Sequence, residues 1–180
     1  MMNWLRGSKL AAAFLTLMRL YLGVKWVMAG WHKITGEKAF DASGFLSGAI
    51  AKPVLASGSN DMLYVSYVSF LKNFALPNVG IFNVIVPWGE FLVGLGLLLG
   101  ALTTTAIFFG LFMNFMYIFS GTVSSNPWFI LLGFIVIAAG ANAGKFGMDY
   151  WILPILRGWF DNLLISLRVK PKYLPSSPND

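Results

Sequence analysis

Apolar residues in this chain fall into four long runs separated by shorter polar stretches. The first covers about residues 10–31 and is broken by Arg19 and Lys25. The second covers about residues 81–101 and contains Pro87 and Glu90. The third covers about residues 104–120, with Asn114 as its strongly polar member. The fourth begins at Pro127, is wholly apolar to Ala141 and continues through Asn142 towards Lys145. A bilayer core of about 30 Å requires roughly 20 apolar residues per helix, so each run predicts a membrane-crossing helix. Asn126-Pro127 supplies a cap and a first-turn proline for the fourth. Only Leu102 and Thr103 separate the second and third runs, and residues 121–126 join the third to the fourth. Links this short make neighbouring helices antiparallel. The pattern predicts an all-α, integral membrane four-helix up-down bundle.

Further apolar segments are too short or too interrupted to cross. Residues 61–74 follow an Asn60/Asp61 cap and place Leu63, Tyr64, Tyr67, Phe70, Leu71 and Phe74 on one helical face. A second short piece is expected at 41–50. After the fourth run, Ile152, Leu156, Trp159, Leu163 and Leu167 repeat at helical spacing opposite Arg157, Asp161 and Arg168. These segments read as interfacial helices in the first loop and after the last span. The organisation is a membrane domain over 1–149, an interfacial amphipathic helix over 150–170 and a loose, Pro/Ser-rich cytoplasmic tail over 171–180. Arg19 and Lys25 within the first run argue against a cleaved signal segment.

Composition narrows the function. Of 180 residues, 57% are hydrophobic and 11% charged, against about 25% charged in soluble domains. Soluble enzymes and disordered chains are excluded. The net charge of +6 arises from few acids and scattered bases, so no nucleic-acid partner is expected. Lysine and arginine are denser at the two ends than in the first loop, which predicts both termini in the cytoplasm. There is no cysteine and a single histidine, His32. No metal, haem or flavin is therefore expected, and any redox chemistry uses a diffusible cofactor or a partner.

Ionised residues at mid-bilayer are costly. Arg19 and Glu90 lie near the middle of the first two runs, which predicts a buried ion pair between adjacent helices, with Asn114 at similar depth. Small residues share their faces: Gly23 and Gly30 with Arg19, Gly94 with Glu90, Gly110 with Asn114. The pair reads either as a device that fixes helix register or as part of a substrate or proton path. Lys33 continues the Arg19 stripe to the outer mouth beside Trp31 and His32. Lys25 points elsewhere and reads as a snorkelling anchor. Trp88, Phe115 and Tyr117 either pack or sandwich a flat ring.

These residues resemble the DoxX family of membrane proteins: Arg19, Gly23, Gly30 and Lys33 in the first helix; Pro87, Glu90, Gly94 and Gly100 in the second; and Gly140-Ala141-Asn142-Ala143-Gly144-Lys145 with Gly147 and Asp149 after the fourth. The resemblance spans residues 10–149. It is greatest to the DoxD-like branch, which includes the large subunit of a thiosulfate:quinone oxidoreductase. It implies a multi-pass protein of a prokaryotic cell membrane that passes electrons to membrane quinone, with a possible second redox subunit. On this reading Lys33 and His32 attract a sulfur oxyanion, Arg19 holds it, and Glu90 or Asp149 delivers protons. The expected catalytic set is Arg19, Glu90 and Asn114, and the expected substrate-binding set is Lys33, His32, Trp88, Asn142 and Asp149. The competing readings are a non-catalytic scaffold or partner-binding subunit of a redox complex and a small-molecule carrier.

Overall fold

The computed structural model describes residues 2–167. It is all-helical among those residues, apart from one antiparallel bridge between Leu55 and Met62. A short α1 (Met2–Gly7) turns at Ser8 into α2 (Lys9–Thr35), the longest helix. Two short helices follow, α3 (Ser43–Ala51) and α4 (Val65–Phe70), the latter running into a π-turn at Leu71–Ala75. The remaining long helices are α5 (Val79–Leu99), α6 (Thr103–Phe119) and α7 (Asn126–Ala139), which tightens into a 3-10 turn at Gly140–Gly144. Finally α8 covers Asp149–Ser166.

The apolar runs become α2, α5, α6 and α7. Lys9–Thr35, Val79–Leu99 and Asn126–Gly144 are long and apolar enough to cross a membrane, whereas Thr103–Phe119 is a shorter apolar helix of 17 residues. Leu15, Leu22, Trp26, Leu97, Ile107, Leu111 and Val136 are buried between them. Large apolar side chains on the opposite faces, among them Leu17, Val84, Leu92, Phe108, Phe112 and Leu131, are exposed. A water-soluble domain does not present such a belt, and a lipid bilayer accommodates it.

Glycines set the closest contact. A Cβ on Gly94 would strike the backbone of Val27, and one on Gly30 would lie 2.6 Å from the Pro87 carbonyl oxygen. Gly23 meets Gly94 and Leu98 in the same way. The stripe of small residues is thus the seam between antiparallel α2 and α5. A separate apolar cluster of Ala42, Leu46, Ala49, Leu71 and Ala75 packs α3 against the π-turn.

Several boundaries differ from the sequence pattern. Residues 60–63 do not start a helix, because Leu63 N donates to Val54 O and Ala56 N to Asp61 O, closing a small hairpin. Asn126 does not accept from its own first turn; its side-chain amide donates back to Thr122 O at 2.9 Å. The helix after the last span begins at Asp149. Arg168, Lys170 and the 171–180 tail lie outside the described residues.

Candidate functional site

The charged residues of the bundle form two separate groups, and this overturns the expected Arg19–Glu90 pair. Arg19 is buried at 2% exposure and donates to backbone oxygens: Leu97 O at 2.6 Å, Leu98 O at 3.1 Å and Phe146 O at 3.3 Å. Glu90, equally buried, is bound by Lys33 and Tyr117 instead. The physical reason is helix offset. Gly30 packs at Pro87 and Phe91, and Gly23 at Gly94 and Leu98, so Arg19 falls beside the end of α5. At about 1.5 Å per residue, that is roughly 10 Å from the level of Glu90. The first part of α2 runs past α5 and packs on the 140–144 turn, so comparing midpoints of the two runs misjudged depth.

The group around Arg19 is a latch. The Asp149 carboxylate accepts from Leu102 N at 2.6 Å through Oδ1 and from Thr103 N at 3.0 Å through Oδ2. It therefore caps α6 from a distant part of the chain and answers backbone donors that the helix itself cannot satisfy. Leu102 needs this support, since it sits at φ 50° in the left-handed region. Gly100 (φ 62°), Gly144 and Gly147 let the strands of this latch approach: a Cβ on Gly100 would meet the Arg19 guanidinium, and one on Gly144 would overlap the Asp149 side chain. Asn142, 5% exposed, donates its amide to Leu5 O at 2.8 Å and Ser8 O at 3.1 Å, pinning the α1–α2 turn.

The group around Glu90 is a polar triad. Lys33, at the last turn of α2, forms hydrogen bonds to both carboxylate oxygens of Glu90. Tyr117 on α6 donates its hydroxyl to Glu90 Oε1 at 2.6 Å. The Glu90 side chain is 3% exposed and that of Lys33 29%, so the lysine is the member open to its surroundings.

A cavity of about 1030 Å³ reaches this triad. It runs along the cleft between α5 and α6, past Gly89, Val93 and Gly96 on one side and Ala106, Met113 and Met116 on the other. Phe45 and Leu46 of α3 and Tyr67 and Phe70 of α4 also border it. Leu92, Leu99, Phe109 and Phe112 both line it and belong to the exposed apolar belt, so the cleft opens sideways, where lipid would lie. Its walls are largely apolar, and Lys33, Glu90 and Tyr117 form its charged polar end. Tyr67 adds a phenol that donates to Met116 O at 2.9 Å and bonds Ser120 Oγ. Burial holds the Tyr67 phenol above its ordinary range, and the Ser120 bond offsets part of this.

Of the expected site residues, Glu90 and Lys33 form an ion pair, while Arg19 and Asp149 come together at the end of α5. Asn114 is 2% exposed and its Oδ1 has no protein partner among the described residues; it bonds neither Arg19 nor Glu90. Trp88 is exposed, packs edge-on to Phe91 and does not line the cavity. His32 is exposed on the same turn as Lys33 and makes no side-chain hydrogen bond with any described residue. Asn142 and Asp149 belong to the latch around Arg19, far from the triad along the bundle. Tyr117 is the participant that sequence reasoning undervalued, as an aromatic ring rather than a hydroxyl. Its signal was its spacing on α6, three residues after Asn114. Lys25 is exposed, with its ammonium 6.0 Å from the centroid of the Tyr21 ring, as an anchor would be.

Comparison with known proteins gives one match. A family profile described as DoxX covers residues 14–122, from α2 through α6. The matched stretch contains Arg19, Lys33, Glu90 and Tyr117, whereas Asn142 and Asp149 lie beyond it. No curated protein and no solved structure matches the chain.

Proposed function

The chain belongs to the DoxX family, and from that premise we propose that it is a four-span prokaryotic membrane protein that binds quinone in the α5–α6 cleft as a subunit of a redox system. The observation that carries this reading is the apolar, laterally open cavity ending on the Lys33–Glu90–Tyr117 triad. A membrane quinone has a long apolar tail and a ring with carbonyl acceptors at opposite edges. The cleft offers apolar walls for the tail, and the Lys33 ammonium, which keeps a third N–H beyond those on Glu90, is the donor for a ring carbonyl. Ligands of this kind arrive from lipid, and a side opening suits them better than an aqueous mouth.

Reduction of a quinone takes up two electrons and two protons. Lys33 and Tyr117 carry exchangeable protons at the polar end, and Glu90 links them, so the triad has the composition of a proton-delivery group. The electrons come from a small donor or a second subunit. Thiosulfate is the donor suggested by the DoxD-like resemblance: two thiosulfates joined by a new S–S bond release two electrons. In this reading Lys33 and His32 attract the oxyanion at the outer end. Arg19 takes no part, because its terminal nitrogens are held by carbonyl oxygens at the end of α5, away from the triad.

A second reading is a non-catalytic subunit that binds a partner. It draws on α8, where Trp151, Ile155 and Trp159 are exposed.

The test is purification into lipid nanodiscs with solvent extraction of bound quinone, followed by reduction of a soluble quinone analogue with and without thiosulfate. Met113 lines the cleft, and Met113→Trp narrows it. The expected result is quinone in the wild-type extract and its loss in M113W. If no quinone is retained and no donor supports reduction, the quinone reading fails and the partner-binding reading takes its place.

A further inference from the structure

A second cavity, of about 360 Å³, opens at the opposite end of the bundle between α1, the 140–144 turn and the first part of α8. Arg6, Lys145 and Arg157 line it, with Asn142, Asp149 and Tyr150. The cations come from separate elements and converge there with a single carboxylate. That carboxylate is already committed: each Asp149 oxygen accepts a backbone N–H of the α6 start, and the Arg19 guanidinium lies close enough to act on it electrostatically. Asn142 is held by Leu5 O and Ser8 O. Arg6 donates through Nε to Ala138 O at 2.9 Å, which leaves the terminal nitrogens of its guanidinium uncommitted. Lys145 and Arg157 form no ion pair with any described residue. Asp161, one turn beyond Arg157 on α8, does not line the cavity.

The depth of the cavity matters as much as its charge. It lies just past Ala139, where α7 ends. Trp4, Trp151 and Trp159 surround this end of the molecule at 49%, 65% and 69% exposure. Exposed tryptophans of this kind mark the headgroup level of a bilayer. Arginine forks and a lysine ammonium, with no free acid among them, are a donor set for phosphate. Basic pockets between membrane helices at this level take anionic headgroups.

We propose that the Arg6–Lys145–Arg157 cavity binds a phosphate group, presented by the headgroup of an anionic phospholipid. The exposed apolar side of α8, including Ile155 and Trp159, lies beside the cavity and gives the acyl chains a surface. Bound lipid then ties α1, the 140–144 turn and α8 together at the interface. This site is separate from the α5–α6 cleft and stands whether or not that cleft binds quinone.

Native mass spectrometry of the full chain, released from nanodiscs of mixed phosphatidylglycerol and phosphatidylcholine, tests the proposal. The wild type is expected to retain phosphatidylglycerol preferentially. Lys145→Gln with Arg157→Gln, which leaves the Arg6–Ala138 contact intact, is expected to reduce that retention about tenfold or more. Lys38→Gln with Lys72→Gln removes the same charge elsewhere and is expected to leave retention unchanged. A second arm adds inorganic phosphate to the detergent-solubilised protein and follows thermal unfolding. Protection by phosphate that K145Q/R157Q abolishes, without any lipid preference, assigns the site to free phosphate and still supports phosphate recognition. Equal lipid retention and equal phosphate response in K145Q/R157Q and wild type overturn the proposal. So does an equal loss in K38Q/K72Q, which would show that only net charge matters.

Discussion

Tyr117 donates its hydroxyl to Glu90 at 2.6 Å, reaching from α6 to α5 while Lys33 of α2 holds the same carboxylate. One acid therefore joins three helices, and the two partners protect it unequally. Removing Lys33 leaves a carboxylate that is 3% exposed with only a phenol to answer it. Breaking a buried pair from that side costs about 3–5 kcal/mol. Removing Glu90 leaves a lysine that is 29% exposed and flexible enough to reach water. Lys33→Met is therefore expected to destabilise more than Glu90→Leu, and Tyr117→Phe, which removes one charge-assisted bond, by about 1.5–3 kcal/mol. Thermal unfolding of the three variants in one detergent checks the order; a larger loss for E90L than for K33M would contradict it.

A double-mutant cycle separates the observed pairing from the one that the sequence suggested. Lys33 and Glu90 share a contact, so K33M and E90L are expected to be strongly non-additive, with the double variant milder than K33M alone. Arg19 and Glu90 share no partner and lie about two helical turns apart. R19M and E90L should add within about 0.5 kcal/mol. Coupling between Arg19 and Glu90 as large as that of Lys33 and Glu90 would require them to meet.

The contrast shows what a sequence exposes. The four apolar helices, the first-loop helices and the α2–α5 glycine seam were readable, because spacing along a helix fixes which residues share a face. The mutual depth of two helices was not, because it depends on where each begins to pack. α2 extends beyond α5 onto the 140–144 turn, and no local pattern announces that overhang. Likewise, Asp149 and Asn142 were marked as important by their motif, yet as ligands of substrate. Their partners are backbone groups of distant loops, to which residue identity offers no guide.

Arg19 should tolerate lysine poorly. It satisfies three carbonyl oxygens on two elements through a planar fork, and an ammonium cannot reproduce that geometry. Charge-assisted bonds are worth about 1.5–3 kcal/mol each, so Arg19→Lys is expected to lose at least the equivalent of one. Retained charge with lowered stability is the diagnostic outcome. A wild-type unfolding temperature for R19K would mean that charge alone is needed.

The α2–α5 seam predicts a sharp difference among glycines. Gly30→Ala and Gly94→Ala place a methyl group against backbone atoms of the facing helix, which cannot rotate away. Gly80→Ala and Gly158→Ala meet nothing within 4 Å and exchange a poor helix former for the best one, a gain of up to about 1 kcal/mol in a helix interior. Expression level and monodispersity after extraction should fall for the first pair and hold for the second.

The Asp149 cap makes the last prediction. Its two oxygens answer the N–H groups of Leu102 and Thr103 at the start of α6. Asp149→Asn keeps one acceptor oxygen and places an amide donor against a backbone donor. Asp149→Ala removes both acceptors and leaves buried N–H groups unpaired, at about 1–3 kcal/mol for each. It also takes away the carboxylate that faces Arg19. The expected order of stability is wild type, then D149N, then D149A. Leu102→Gly should move the other way in the intact protein, because the left-handed conformation at φ 50° costs a β-carbon residue about 1–2 kcal/mol, and this side chain is exposed on the apolar belt rather than packed in the core. Combining L102G with D149A tests the link: if the cap holds Leu102 in its strained conformation, glycine should recover part of the stability that D149A loses. No recovery would mean that the carboxylate acts on Arg19 and not on the turn.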